Sequence, residues 1–154
     1  MRLGKLTDYA TVILTEMARA PSRRQSAVEL ANLTHVAAPT VSKLLRQLAQ
    51  VGLVEATRGA HGGYRLARRP EQITIAEVVA ALEGPIALTT CSDGADSCPI
   101  DHHCGVRTNW SRISDAIERA LAAVTLADMV APLPETEFPL RRLDTSQARP
   151  TAGA

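Results

Sequence analysis

The sequence predicts a mainly α protein: a winged helix-turn-helix unit followed by a long C-terminal helix. Three observations predict it. Two short amphipathic helices are separated by only a few residues, and a glycine-tipped hairpin follows them. Between Val106 and Val130 there is neither glycine nor proline, and apolar residues recur by threes and fours. Aromatic residues make up only 3% of the 154 residues, so the core has to be aliphatic.

In the first predicted helix, Thr7 to Ala20, the residues Ala10, Ile13, Leu14, Met17 and Ala18 share one face, and Pro21 ends the run. Ser22 to Gln25 is a polar connector. Ser26 stands at an N-cap position, and Glu29 three residues later completes a capping box before Val28, Leu30, Ala31 and Leu33. This second helix yields at Thr34 to Ala37. The third starts near Ala38, with Pro39 suited to a first turn. It turns Val41, Leu44, Leu45 and Leu48 inward and Thr40, Ser42, Lys43, Arg46 and Gln47 outward, and Gly52 closes it. Leu53–Thr57 and Tyr64–Ala67 form two strands, joined by a loop whose three glycines supply positive φ. Thr74 caps a small helix, Ile75 to Leu82, which Gly84-Pro85 closes. In the last helix Val106, Trp110, Ile113, Ile117, Ala120, Val124 and Ala127 make a seam about 36 Å long. The domain expectations are therefore residues 1–84 for the winged unit, 85–105 for a cysteine-containing loop, 106–130 for a dimerisation helix, and 131–154 for a disordered tail.

The net charge of +1 hides an asymmetry. Residues 1–70 carry 11 Lys/Arg against 4 Asp/Glu, and residues 71–154 carry 6 against 12, so a +7 half precedes a −6 half. A basic half suits a polyanion. The outward residues of the third helix are hydroxyl and cationic groups of the kind that contact phosphates and base edges in a major groove. Arg58, His61 and Arg65 lie on or beside the hairpin near bare glycine backbone, which suits close approach to a phosphate or a minor groove. The expected partner is double-stranded DNA, and the expected contact residues are Ser26, Pro39, Thr40, Ser42, Lys43, Arg46, Arg58, His61 and Arg65. No apolar run approaches the roughly 18 residues of a membrane span, and the N-terminus has no apolar signal core. A cytoplasmic protein with no membrane partner is expected. There is no phosphate-cradling loop, no nucleophile with a partnered base and no paired carboxylates, so an enzyme is not expected.

Cys91, Cys98 and Cys104 are spaced C-x6-C-x5-C. Three cysteines in a cytosolic chain argue against a disulfide framework, and the spacing is too wide for a C-x2-C zinc knuckle. Three thiolates on a loop rich in Asp, Gly and Ser suit an iron–sulfur cluster whose fourth ligand comes from elsewhere. A zinc site of three cysteines and one other ligand, or free thiols, also fit the spacing. His102 and His103 could ligate, although exposed loop histidines are more often solvated. Cluster nuclearity, two-iron or four-iron, is left open.

With these residues in place, the chain resembles the bacterial cluster-binding winged-helix repressors of the IscR/NsrR family, most of all the branch regulating the SUF system of cluster assembly. The resemblance covers about residues 1–130. It rests on Met1-Arg2-Leu3 with Leu6-Thr7-Asp8-Tyr9-Ala10, on Pro39-Thr40-Val41-Ser42-Lys43-Leu44-Leu45 and on Gly52-Leu53-Val54. It continues through Arg58 to Ala67, Leu82 to Leu88, the three cysteines and Thr125 to Met129. It implies a homodimer built on the long C-terminal helix, with the cluster loop near the partner's DNA-binding domain and with cluster occupancy tuning operator binding. One departure matters: where the IscR pattern has a histidine three residues after the last cysteine, this chain has Arg107. The NsrR-like pattern instead uses an aspartate near the N-terminus, and Asp8 matches it. The ligand set implied is Cys91, Cys98, Cys104 and Asp8, with His102 or His103 as alternatives. By itself, Asp8 also reads as an acidic residue complementing a helix dipole. The resemblance implies a regulator of cluster-assembly genes. A nitric oxide or redox-stress sensor using the same loop is the rival within the class. A small zinc- or cluster-binding redox protein with no operator is the rival outside it, and the basic first half argues against that one.

Overall fold

The computed structural model describes residues 3–59, 62–89 and 106–131. Among the described residues six helices and one hairpin follow in order: α1 (Lys5–Ala18), α2 (Ala27–Thr34), α3 (Ala38–Gln50), β1 (Val54–Thr57), β2 (Gly63–Leu66), α4 (Ile75–Glu83), α5 (Arg107–Ala122) and α6 (Leu126–Val130). A single 3-10 turn, Pro70–Gln72, leads into α4. Residues 90–105 of the expected cysteine loop, the hairpin tip at 60–61 and the tail beyond 131 lie outside the described residues.

The aliphatic core forms as the periodicity requires. Ala10, Ile13, Leu14 and Met17 of α1 meet Leu30 of α2 and Val41, Leu44, Leu45 and Leu48 of α3, all buried. Leu53, Val54 and Leu66 close the core from the hairpin, and Ile73, Val78 and Val79 close it from α4. Each end of α3 has a local cause. Pro39 occupies the first turn, where its missing N–H is no loss. At the other end the Leu53 N–H bonds to the Leu48 carbonyl at 3.0 Å and the Gly52 N–H to the Ala49 carbonyl at 3.2 Å. That is a Schellman motif, and Gly52 supplies its left-handed residue at φ +74°. Leu53 therefore emerges already aimed into the core. The hairpin pairs Val54 with Leu66, Glu55 with Arg65, Ala56 with Tyr64 and Thr57 with Gly63.

Three expectations need correction. The connector after α1 is more than polar linkage: Gln25 exchanges two backbone hydrogen bonds of 2.9 Å with Tyr64 and is itself buried, adding a third edge to the wing. The capping box of α2 is half formed. Ser26 accepts from the Glu29 N–H at 3.1 Å, but the Glu29 carboxylate pairs with Arg23 instead of reaching back. Val28 and Leu33 of that short helix are exposed, because two turns bury only Leu30 and Ala31.

The largest correction concerns the long helix. It stops at Ala122, and a second one starts at Leu126. Thr125 and Asp128 form a full capping box: the Thr125 hydroxyl accepts from the Asp128 N–H at 3.3 Å, and the Asp128 carboxylate accepts from the Thr125 N–H at 2.8 Å. The break is also held from outside. Ile75 N–H bonds to the Val124 carbonyl at 2.8 Å, and Leu126 N–H to the Ile73 carbonyl at 2.9 Å. Leu126 is fully buried in the same core as α1, and Leu121, Val124 and Val130 pack against it. The continuous seam is thus confined to α5, whose 16 residues span about 24 Å.

Candidate nucleic-acid interface

The second and third helices are joined by three residues, of which His35 adopts the left-handed conformation at φ +56°. This sharp turn packs α2 across α3 and leaves one side of α3 in solvent. On that side Pro39, Lys43 and Arg46 are exposed, spaced by fours and threes as neighbours on a helix are. Thr40 and Ser42 beside them are half-buried. Arg46 bends back along its own helix, with Nε donating to the Ser42 carbonyl at 3.1 Å. Lys43 has no partner among the described residues. Gln47, expected to point outward, is half-buried, and its side-chain oxygen is buried without a hydrogen-bond partner. It lines a cavity of about 300 Å³ together with Lys5, Leu6, Leu82 and Glu83. Helical periodicity places Gln47 on the edge between the two faces, and only the neighbouring helices decide which way it turns.

The wing supplies the second part. Gly63 has φ +137°, and a Cβ there would come within 2.9 Å of the Gln25 carbonyl, so the strand can only lie this close to the connector as glycine. Thr57, the last residue of β1, accepts a hydrogen bond of 2.6 Å from Arg24. Arg58 follows, exposed and without a partner among the described residues. Arg65 is different. It faces Glu55 across the strands, its Nε and Nη2 donating to one carboxylate oxygen at 2.8 and 2.7 Å. Its charge is therefore largely answered within the wing. His61 lies outside the described residues. Ser26 is exposed, but its hydroxyl oxygen is engaged as the cap of α2.

Sequence reasoning missed Arg24 as a support for the wing. An arginine before a predicted helix looks like any solvated cation, and only the fold brings it to Thr57.

Of the expected metal ligands, only Asp8 falls within the described residues. It is exposed in the first turn of α1. Cys91, Cys98, Cys104, His102 and His103 lie outside them. The chain leading to Cys91 is nevertheless anchored: Leu88 N–H donates to the buried Ser114 hydroxyl of α5 at 3.1 Å. Among the described residues no helix is long and apolar enough to cross a membrane.

The sequence pattern of the Rrf2 family, described as an iron-dependent transcriptional regulator, matches residues 3–132. Protein rrf2 of Nitratidesulfovibrio vulgaris is 34% identical over 131 residues, which is 84% of this chain and 87% of that protein. Two solved structures share the fold. CymR, the global cysteine regulator of B. subtilis, aligns with a TM-score of 0.67 at 27% identity, over 84% of this chain and 96% of that one. IscR of T. potens aligns with a TM-score of 0.65 at 25% identity, over 84% and 86% respectively.

Proposed function

From the premise that this chain belongs to the Rrf2 family of transcriptional regulators, we propose that it senses iron–sulfur status and represses cluster-assembly genes from a pseudo-palindromic operator. It is a DNA-binding regulator and not an enzyme. The observation that carries the DNA-reading part is the exposed side of α3, where Lys43 and Arg46 stand clear of a fully apolar opposite face. Each recognition helix would enter a major groove, with Thr40, Ser42 and Pro39 near its N-terminal end and Ser26 at the start of α2 touching backbone phosphate. Arg58, with His61 and Arg65, would follow the adjacent groove.

Dimerisation would use α5. Trp110 and Ile113 are 38% and 44% exposed, an unusual display of large apolar side chains on a helix whose other contacts face its own core. A second copy of α5 covering them would place two recognition helices one DNA turn apart.

The donor set fits a cluster: three thiols within residues 91–104 and an exposed carboxylate at Asp8. When bound, that group would supply a centre whose gain, loss or redox change is the signal. Cys91, Cys98 and Cys104 would hold three positions as thiolates, and Asp8 the fourth. An oxygen ligand is hard and weakly donating to iron, so that position would exchange easily, which suits a sensor. Ligation would tie α1 to the cysteine segment, and α1 packs on both α2 and α3. Favouring one of two arrangements of these helices would shift the population competent for the operator.

Anaerobic purification followed by an absorption spectrum, an iron and sulfide assay, and retention on operator DNA at moderate salt tests the reading. The expected result is a coloured dimer whose affinity for DNA changes when the cluster is removed. A colourless protein holding stoichiometric zinc would overturn it, and so would a metal-free protein whose DNA binding follows thiol state alone.

A further inference from the structure

Register sorts the side chains of the wing onto two faces. Gln25 of the connector pairs with Tyr64 of β2, and β2 pairs with β1, so β2 lies between the connector and β1. Gln25 is buried and Tyr64 packs on the core, which turns their neighbours Arg24 and Arg65 to the opposite face. Glu55 and Thr57 of β1 share that face, as the ion pair between Glu55 and Arg65 requires. Arg24 and Thr57 are thus not on adjacent strands. The arginine side chain crosses the width of β2, where Gly63, opposite Thr57, puts no side chain in its way. Its Nη1 then donates to the Thr57 hydroxyl at 2.6 Å.

Thr57 is the last residue of the ladder. Beyond it the chain leaves the sheet with Arg58 and turns back, the Gly62 N–H bonding to the Gly59 carbonyl at 2.9 Å. Gly59, at φ +109°, gives the backbone after Arg58 the freedom of glycine rather than the stiffness of a strand. The point from which Arg58 projects is therefore set by Thr57, and Arg24 holds Thr57 from the side. The same connector ends in Ser26, the cap of α2, and α2 packs across α3. One short segment, Arg24 to Ser26, ties the strand end that bears Arg58 to the helices that carry Lys43 and Arg46.

We propose that Arg24 is a positioning residue for operator binding: it fixes where Arg58 stands relative to the recognition helix without touching DNA itself. The inference rests on reading Arg58 as a DNA contact. A wing braced beforehand loses less freedom on the duplex, so removing the brace weakens affinity. The test uses the full chain, prepared anaerobically, and a duplex that the wild type enriches from a random-sequence pool. Arg24→Ala and Thr57→Val should each weaken binding to that duplex by roughly two- to tenfold. The two together should lose no more than one alone. Thr57→Ser, which keeps the acceptor, should bind like the wild type. In the Arg58→Ala background, Arg24→Ala should have no further effect. Without DNA, Arg24→Ala should speed exchange of the Gly62 amide while the amides of α3 are unchanged.

Thr57→Val binding like the wild type would make the brace irrelevant. If Arg24→Ala weakens the Arg58→Ala protein further and lowers its salt slope by about one unit, Arg24 is itself a phosphate contact and the positioning role is wrong. Faster exchange throughout α3 would mean that Arg24 supports the fold as a whole, and would equally overturn it. If Arg58→Ala binds the duplex like the wild type, the wing contact fails and this proposal with it. If Arg58→Ala weakens binding and Arg24→Ala does not, the contact stands and the positioning role alone fails.

Discussion

Lys43, Arg58 and Arg65 are three cations with different freedom. Lys43 and Arg58 stand without partners among the described residues, whereas Arg65 is already bonded to Glu55. A cation engaged within the protein must give up that pair before it can serve a phosphate, so the gain on binding is smaller. Lys43→Ala, Arg46→Ala and Arg58→Ala should each weaken operator binding by about 1–3 kcal/mol if they read a base. A residue touching phosphate alone should instead reduce the salt slope by about one unit. Arg65→Ala should weaken binding less than Arg58→Ala. Titrations of operator DNA at two salt concentrations decide this, and a larger loss for Arg65 would mean that its pair with Glu55 opens on DNA. Glu83 makes a separate prediction through protons. The Thr7 hydroxyl, and then the Gly4 N–H, hold its carboxyl below the ordinary 4.5. Its folded value is lowered, so its contribution to stability is complete above about pH 4.5 and disappears as pH falls through the folded value. Denaturant melts from neutral pH down to mildly acidic pH should show a steeper acid loss for the wild type than for Glu83→Gln. Parallel curves would mean that the carboxylate is not held this way in solution.

At the scale of elements, ends matter more than middles. The apolar stripe of α3 was legible because Val41, Leu44, Leu45 and Leu48 repeat with the helical period, and all four are buried. The break between α5 and α6 was not legible from that period. Thr125-Leu126-Ala127-Asp128 carries a capping-box signature, yet it sits inside an unbroken apolar pattern that a longer helix would satisfy equally. What favours the break is tertiary: Ile73 and Ile75 offer backbone groups that bond to Leu126 and Val124. Thr125→Ala removes the acceptor for the Asp128 N–H and should destabilise the fold by about 1 kcal/mol, read as a shift in the denaturant midpoint with unchanged slope. Gly52→Ala should cost a similar amount, because alanine resists φ +74° even though nothing crowds a Cβ there. A stabilised Gly52→Ala protein would mean that α3 does not end in the left-handed turn.

For the whole molecule, the exposed apolar face of α5 makes assembly the most consequential property. Ile117→Asp places a charge among Trp110, Ile113 and Ala120, and should turn a dimer into monomers at micromolar concentration while leaving the winged core folded. Sedimentation of wild type and variant tests this, and a wild-type monomer would remove the proposed reading of two half-sites. The sequence by itself determined the helix-turn-helix and its wing, since the burial periods, the Pro39 start, the Gly52 stop and the glycine hairpin are all local signals within a few residues. It also determined which residue types could meet DNA or iron. Only the tertiary structure decided that Gln25 belongs to the wing, that Gln47 turns inward, that Arg65 is already paired, and that Val124 packs on the core of the DNA-reading unit rather than extending a dimer seam. The reason is the same in each case. A side chain on the border between two faces, or a backbone group at an element's end, takes whatever surroundings packing brings to it, and those come from other elements, ten residues away for Arg65 and Glu55 and several tens away for Gln25 and Tyr64 or Leu126 and Ile73.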